Sequence, residues 1–188
     1  ENRNGVAPSV LPKNSGGADE AKIADADLNR KQNRFAAVIC ARNEEKTLGN
    51  CIRTLLAQDY PGGIRVFVAA DNCTDNTAQA AREAGAVVYE RHNTYAVGKG
   101  YALRFLLENI FKNFGEYAYD GFFVFDADNI LDENFISEMN NVFDNGYKVV
   151  TSYRNSKNFG DNWISAGYSI FFLREATQLN RARMMFGT

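Results

Sequence analysis

The sequence predicts an α/β domain built on a mostly parallel sheet flanked by helices, preceded by an irregular arm. Three observations carry this prediction. Short, continuous apolar runs recur from residue 35 onward, and a strand buried on both faces reads as such a run rather than as an alternation. Between the runs lie stretches with apolar residues three and four apart, the period of a helix with one buried face. The repeat of roughly 25–30 residues leaves room for a helical crossover between parallel strands. The chain is 45% hydrophobic, enough to build a core for one such domain.

Residues 1–33 are dominated by Gly, Pro, Ser, Asn and charged side chains without sustained periodicity. They read as a linker or arm, with at best a weak helix over 18–28, and the domain is assigned to 34–188. Phe35-Ala-Ala-Val-Ile-Cys40 predicts the first strand. Leu48, Cys51, Ile52, Leu55 and Leu56 share one helical face and predict a helix over 45–58, stopped by Tyr60-Pro61-Gly62-Gly63. A second strand follows over 64–70, then a short helix over 77–84 with Gly85 as its C-terminal cap. A third strand is expected over 86–89, and Leu103, Leu106, Leu107, Ile110 and Phe111 predict a helix over 100–114. Gly121-Phe-Phe-Val-Phe125 reads as the fourth strand. A helix over 134–145, a fifth strand over 148–153 and a long aromatic helix over 162–183 complete the expectation.

Composition narrows the function. A net charge of -2 argues against a nucleic-acid partner, which demands a basic face to displace counterions. Three cysteines, Cys40, Cys51 and Cys73, have no paired spacing and read as reduced thiols. No apolar run reaches the ~20 residues of a membrane helix, and no signal peptide is visible, so the chain is expected to be soluble and cytoplasmic.

In a parallel sheet ligands bind outside the carboxyl ends of the strands, and the loops there carry unusual polar clusters. These are Ala41-Arg42-Asn43-Glu44-Glu45, Asp71-Asn-Cys-Thr-Asp75-Asn-Thr77, Arg91-His92-Asn93 with Gly98-Lys99-Gly100, and Asp126-Ala127-Asp128-Asn129. Two carboxylates separated by one residue form a hard-oxygen site suited to Mg²⁺ or Mn²⁺, although an Asp after a strand also caps its own turn. Asp71, at a strand end, is placed to accept a hydrogen bond from a nucleobase, while Thr74 or Asp75 can cap the next helix. Lys99 between glycines at a helix start is suited to a diphosphate, or is a solvated lysine. His92, the only histidine, reads as a surface or hydrogen-bonded residue.

The order and spacing of VICARNEEKTL, ADNCTDNTAQAA, VGKGYAL and FFVFDADN resemble those of family 2 glycosyltransferases, from about Phe35 to the C-terminus. The resemblance implies a GT-A fold, a UDP-sugar donor, a saccharide acceptor and an inverting transfer of a glucose or N-acetylglucosamine type residue. It implies that Ala41, Arg42 and Glu44 line the nucleotide pocket, that Asp71 meets the uracil, and that Lys99 and Arg91 meet the nucleotide. Asp126 and Ala127 would lie on the ribose and sugar side, and Asp128, with Asp126, would hold the divalent metal. Full-length relatives often carry membrane helices, which implies association with the inner face of the plasma membrane for a longer protein only.

The sequence departs from the family pattern in one respect. No Thr/Glu-Asp type base motif and no Gln-x-x-Arg-Trp motif occur. The general base is therefore expected beyond Thr188, with donor binding but little transfer from this chain; Asp132 and Glu133 read as a helix start. Segment 154–163 could face donor or acceptor sugar, or form a plain surface loop, and 163–173 is expected to expose an apolar patch. Other classes fit less well. A haloacid dehalogenase-type phosphatase places its Asp-x-Asp after the first strand, a nucleotidyltransferase wants a Gly-rich loop there, and a dehydrogenase needs Gly-x-Gly-x-x-Gly. A non-catalytic UDP-sugar-binding domain is the alternative outside the enzymes.

Overall fold

The computed structural model describes residues 32–152 together with residues 163, 170, 171 and 174. Apart from Gln32 these belong to the unit Asn33–Thr188. Four strands, β1 (Phe35–Ala41), β2 (Ile64–Asp71), β3 (Val87–Arg91) and β4 (Gly121–Phe125), alternate with four helices, α1 (Leu48–Leu56), α2 (Thr77–Glu83), α3 (Lys99–Phe114) and α4 (Phe135–Phe143). The sheet order is β3-β2-β1-β4, and every neighbouring pair is parallel.

The pleat of β1 explains the two layers of helix. Side chains alternate across a strand: Ala37 and Ile39 pack with Val66 and Val68 against Leu48, Cys51, Ile52 and Leu55 of α1 and Ala81 of α2. Ala36 and Val38 pack with Phe67 and Ala69 against Ala102, Leu106 and Ile110 of α3. Residues Ala36 to Ile39 are fully buried, so β1 is the floor of both layers. The chain winds outward from β1 through β2 to β3, and α3 then carries it back to β4 on the other side of β1. That reversal puts the switch point, where open α/β sheets hold ligands, at the carboxyl ends of β1 and β4.

The opposite end of the sheet carries an aromatic cluster. Phe35 meets Phe123 edge-on with ring centroids 5.1 Å apart and joins Tyr60 and Ile136 in a third cluster. Asn33, placed by sequence at the end of the arm, is buried here. Its Nδ2 donates to Asn140 Oδ1 at 2.8 Å and to Asp144 Oδ1 at 2.7 Å, and its carbonyl accepts from the Tyr60 hydroxyl at 2.7 Å. Asn33 is held here because its amide satisfies polar groups that the aromatic cluster covers.

Helix boundaries differ from expectation by a few residues. Helix α1 begins at Leu48 because residues 45–47 form a turn. Strand β3 runs on to Arg91, since its pairing with β2 continues to Asp71↔Arg91. The expected fifth strand is not formed: residues 148–152 are irregular, and Val149 is 85% exposed. A two-valine run packs too little apolar surface to hold a strand without a paired neighbour. Tyr153, the segment 154–162 and most of the expected helix over 162–183 lie outside the described residues, as do residues 1–31; Trp163, Ile170, Phe171 and Arg174 are helical and exposed. Among the described residues no helix is long and apolar enough to cross a membrane.

Candidate functional site

The first two rim loops are stapled together. The Glu44 amide donates to Thr77 Oγ1 at 2.7 Å, and that fully buried hydroxyl donates to Asp75 Oδ1 at 2.5 Å. Asp75 also accepts the amides of Thr77 at 3.0 Å and Glu45 at 3.3 Å, while Glu45 Oε2 accepts the Asn76 amide at 3.0 Å. The hydroxyl of Thr77 and then these amides hold the Asp75 carboxyl below its ordinary range. Asp75, rather than Thr74, therefore takes the amide of Thr77, the first residue of α2, whose N-cap Asn76 makes no side-chain cap hydrogen bond. Thr74 instead gives its amide to Asn43 Oδ1 at 2.8 Å. Asn43 and Asn72 adopt φ of 57° and 52°, a left-handed conformation that asparagine tolerates better than most residues. Each turns the chain sharply off the end of its strand. In this frame Ala41 is the buried last residue of β1, Arg42 is exposed, and the Glu44 carboxylate accepts Thr47 Oγ1 at 2.6 Å, which turns it toward the start of α1.

Asp71 and Arg91 end adjacent strands in register and form a buried ion pair, Nη1 to Oδ1 at 2.6 Å, with side chains only 8% and 9% exposed. Sequence reading assigned both to the nucleotide and did not find their pairing. Opposite charges at the ends of neighbouring runs were the available signal, but using it requires the register. Arg91 Nη2 also donates to the Ala96 carbonyl at 2.6 Å. Asn72 and Asn93 exchange a reciprocal pair, Nδ2 to the Asn93 carbonyl at 3.0 Å and the Asn93 amide to Asn72 Oδ1 at 2.8 Å. Arg91 thus anchors the loop leading to Gly98-Lys99, and His92 is exposed.

Lys99 is the first residue of α3, entered through Gly98 at φ 127°, a backbone that side chains beyond glycine rarely adopt. Its ammonium pairs with Asp126 Oδ1, both side chains being about half exposed. Asp126 begins a tight turn: its amide donates to Asn129 Oδ1 at 3.0 Å, and its carbonyl accepts the Asn129 amide at 3.2 Å. Ala127 is turned into the α1 side of the core, leaving Asp128 on the exposed side.

Cys40 records how close these groups lie. It is the penultimate residue of β1, on the α3 side of the sheet. Burial pushes its thiol up to about 11; the positive charge of Lys99 pulls against that, and the carboxylates of Asp71 and Asp126 push with it. Groups from the ends of β2, α3 and β4 therefore act on one atom at the end of β1. Asp71, Lys99 and Asp126 are brought to one rim, although no described group of three or more His, Cys, Asp or Glu side chains forms a closed cation cage. Two carboxylates one residue apart, partly open to solvent, fit Mg²⁺ or Mn²⁺ in its usual arrangement. Such ions take one or two carboxylates from the protein and fill the remaining positions with phosphate oxygens and water.

A family model described as "Glycosyltransferase like family 2" matches residues 32–188. The chain belongs to glycosyltransferase family 2. Among curated proteins it is similar to 4,4'-diaponeurosporenoate glycosyltransferase of Staphylococcus aureus, 38% identical over 63 residues, which cover 34% of this chain and 16% of the relative. Among solved structures it is similar to mannosyltransferase PcManGT from Pyrobaculum calidifontis in complex with GDP-Man and Mn2+. That match has a TM-score of 0.53 at 18% identity, covering 77% of this chain and 45% of that one. S. aureus TarS 1-349 also matches, at TM-score 0.48 and 16% identity over 64% of this chain and 39% of that one. The family 2 chain spans less than half of each of these relatives. Its parallel α/β sheet with flanking helices has the GT-A fold.

Proposed function

We propose that this chain is the donor-binding part of an enzyme that transfers a hexosyl residue, of glucose or N-acetylglucosamine type, from a UDP-sugar to a saccharide acceptor with inversion. The observation that carries this reading is that Asp71 ends β2 and Asp126 follows β4 on either side of the end of β1, with Lys99 reaching across to Asp126. A base-recognising carboxylate, a phosphate-seeking cation and a metal-binding acid at one rim match the three parts of a nucleoside diphosphate. Membership of family 2 supports glycosyl transfer, and the Pyrobaculum mannosyltransferase, crystallised with GDP-Man and Mn2+, supports a nucleotide-sugar donor and a divalent ion.

In this reading Asp71, oriented by its ion pair with Arg91, accepts a hydrogen bond from the uracil. The exposed Arg42 and the stapled loop of Ala41 and Glu44 wall the nucleotide, while Asp126 and the backbone of Ala127, whose side chain is in the core, flank the ribose and sugar. Lys99 meets the diphosphate with its charge, helped by the free amides at the start of α3. Asp126 and Asp128 hold a divalent ion, which supplies neutralisation of the charge that builds on departing UDP. The acceptor oxygen attacks the anomeric carbon as the bond to the diphosphate breaks, and its proton passes to a carboxylate base. None of the described residues is assigned that role.

Calorimetric titration of UDP in the presence of Mn²⁺ and of chelator tests the reading. Mn²⁺ should tighten UDP binding by about tenfold or more in the wild type, a gain of ~1.4 kcal/mol, and Asp128→Ala should abolish that gain. Equal UDP affinity with and without Mn²⁺ would leave only a generic α/β domain, and hydrolysis of phosphomonoesters would favour a phosphatase.

A further inference from the structure

The ion pair between Lys99 and Asp126 joins two groups that the donor complex requires apart. Asp126 belongs to the Asp-x-Asp turn after β4 and is a carboxylate for the metal; Lys99 opens α3 and is the cation for the diphosphate. In the structure the ammonium sits on one oxygen of that carboxylate. A +1 charge in contact with the turn opposes the arrival of a +2 ion. The pair is also cheap to break. Both side chains are about half exposed, and exposed ion pairs contribute little to stability.

The surroundings fix one partner and leave the other free to swing. Asp126 is held by its exchange of hydrogen bonds with Asn129 and by Cys51 Sγ, 3.6 Å from its carbonyl. Lys99 has four methylenes beyond a helix start, and Gly98 and Gly100 on either side present no side chain to obstruct it; no atom lies within 4 Å of where a Cβ would stand at either. A diphosphate arriving at the amino end of α3 offers the ammonium a stronger partner, two negative charges beside the helix dipole.

We propose that Lys99 is an exchangeable placeholder cation. It occupies Asp126 until a metal-bearing nucleoside diphosphate arrives, and then passes to the phosphates as the metal takes the carboxylate. This rests on the donor-binding reading above and adds a regulation to the same site: metal alone binds weakly, and metal and nucleotide bind in concert. The device keeps the acidic turn neutralised between turnovers and discourages a metal without its nucleotide.

Mn²⁺ binding followed by electron paramagnetic resonance of the free ion, with and without UDP, tests the exchange in wild type, Lys99→Gln and Lys99→Arg. Lys99→Gln should tighten Mn²⁺ binding in the absence of UDP by about fivefold, the scale of one nearby exposed charge, and should weaken UDP binding at saturating Mn²⁺. Lys99→Arg keeps the charge and should bind Mn²⁺ alone as weakly as wild type. Position 99 is exposed, and a thermal unfolding curve for each variant confirms that it folds; if Lys99→Gln does not fold, Lys99→Met replaces it with the same expectation. Unchanged or weaker Mn²⁺ binding by the neutral variant, while wild type still shows Mn²⁺-dependent UDP binding, overturns the exchange and leaves the donor site standing. No Mn²⁺-dependent UDP binding in wild type overturns both.

Discussion

Arg91 reaches from the end of β3 to Asp71 at the end of β2, Nη1 to Oδ1 at 2.6 Å, with both side chains almost wholly buried. The same guanidinium holds the Ala96 carbonyl, so one residue orients the carboxylate proposed to read the base and anchors the loop that delivers Lys99. Burying two charges is tolerated because each has a defined partner; removing one leaves the other stranded. Arg91→Met should therefore destabilise the domain by roughly 3–5 kcal/mol, measured by urea unfolding. The double variant Asp71→Asn with Arg91→Met should recover part of that loss, since no unpaired charge remains.

The left-handed asparagines give a second prediction. Asn72 combines φ of 52° with the amide exchange to Asn93. Asn72→Ala loses both hydrogen bonds and keeps an unfavourable backbone, and should cost about 1–3 kcal/mol. Asn72→Gly loses the same hydrogen bonds but relieves the backbone, so it should unfold at a higher denaturant concentration than the alanine variant. The reverse order would show that the conformation is not strained.

Asp75 predicts a pH dependence. Its carboxyl is held below the ordinary range, first by the Thr77 hydroxyl, so the native state favours the ionised form. A depressed native pKa contributes stability that is present above the unfolded-state pKa and is lost as pH falls through the native one. The melting temperature of wild type should exceed that of Asp75→Asn at neutral pH, and the gap should close in the acid range below the ordinary aspartate pKa. A gap that widens on acidification would contradict the assignment.

Cys40 predicts a chemical signature. With its thiol at about 11, alkylation at Cys40 should be slow at neutral pH and should still be accelerating above pH 9, because the thiolate is the nucleophile. Site-resolved mass spectrometry follows this residue apart from Cys51 and Cys73. UDP with Mn²⁺ should protect it, since the ligand would cover the groups that surround the thiol.

The strands and the polar loops that follow them were legible in the sequence because their causes are local. A run such as Ala36 to Ile39 admits no face that could meet water. The pairings within the rim were not legible. Asp71 with Arg91, Asn72 with Asn93, and Thr77 with Glu44 join residues 20, 21 and 33 apart, and each requires the order of strands and their register. Nor did composition reveal that residues 148–152 pair with no strand among the described residues, since their valines look like those of β3 until the neighbour is sought. Asn33 was misplaced for the opposite reason: its own segment is arm-like, and its role is fixed by Tyr60, Asn140 and Asp144 far along the chain.

Paramagnetic broadening by Mn²⁺ in the presence of UDP measures the convergence of the rim directly. Amide resonances of residues 71–72, 98–100 and 126–129 should broaden together, while those of Phe35, Ile64 and Gly121 at the far end of the sheet stay sharp. Broadening confined to residues 126–129, with 71–72 and 98–100 untouched, would contradict a shared nucleotide site.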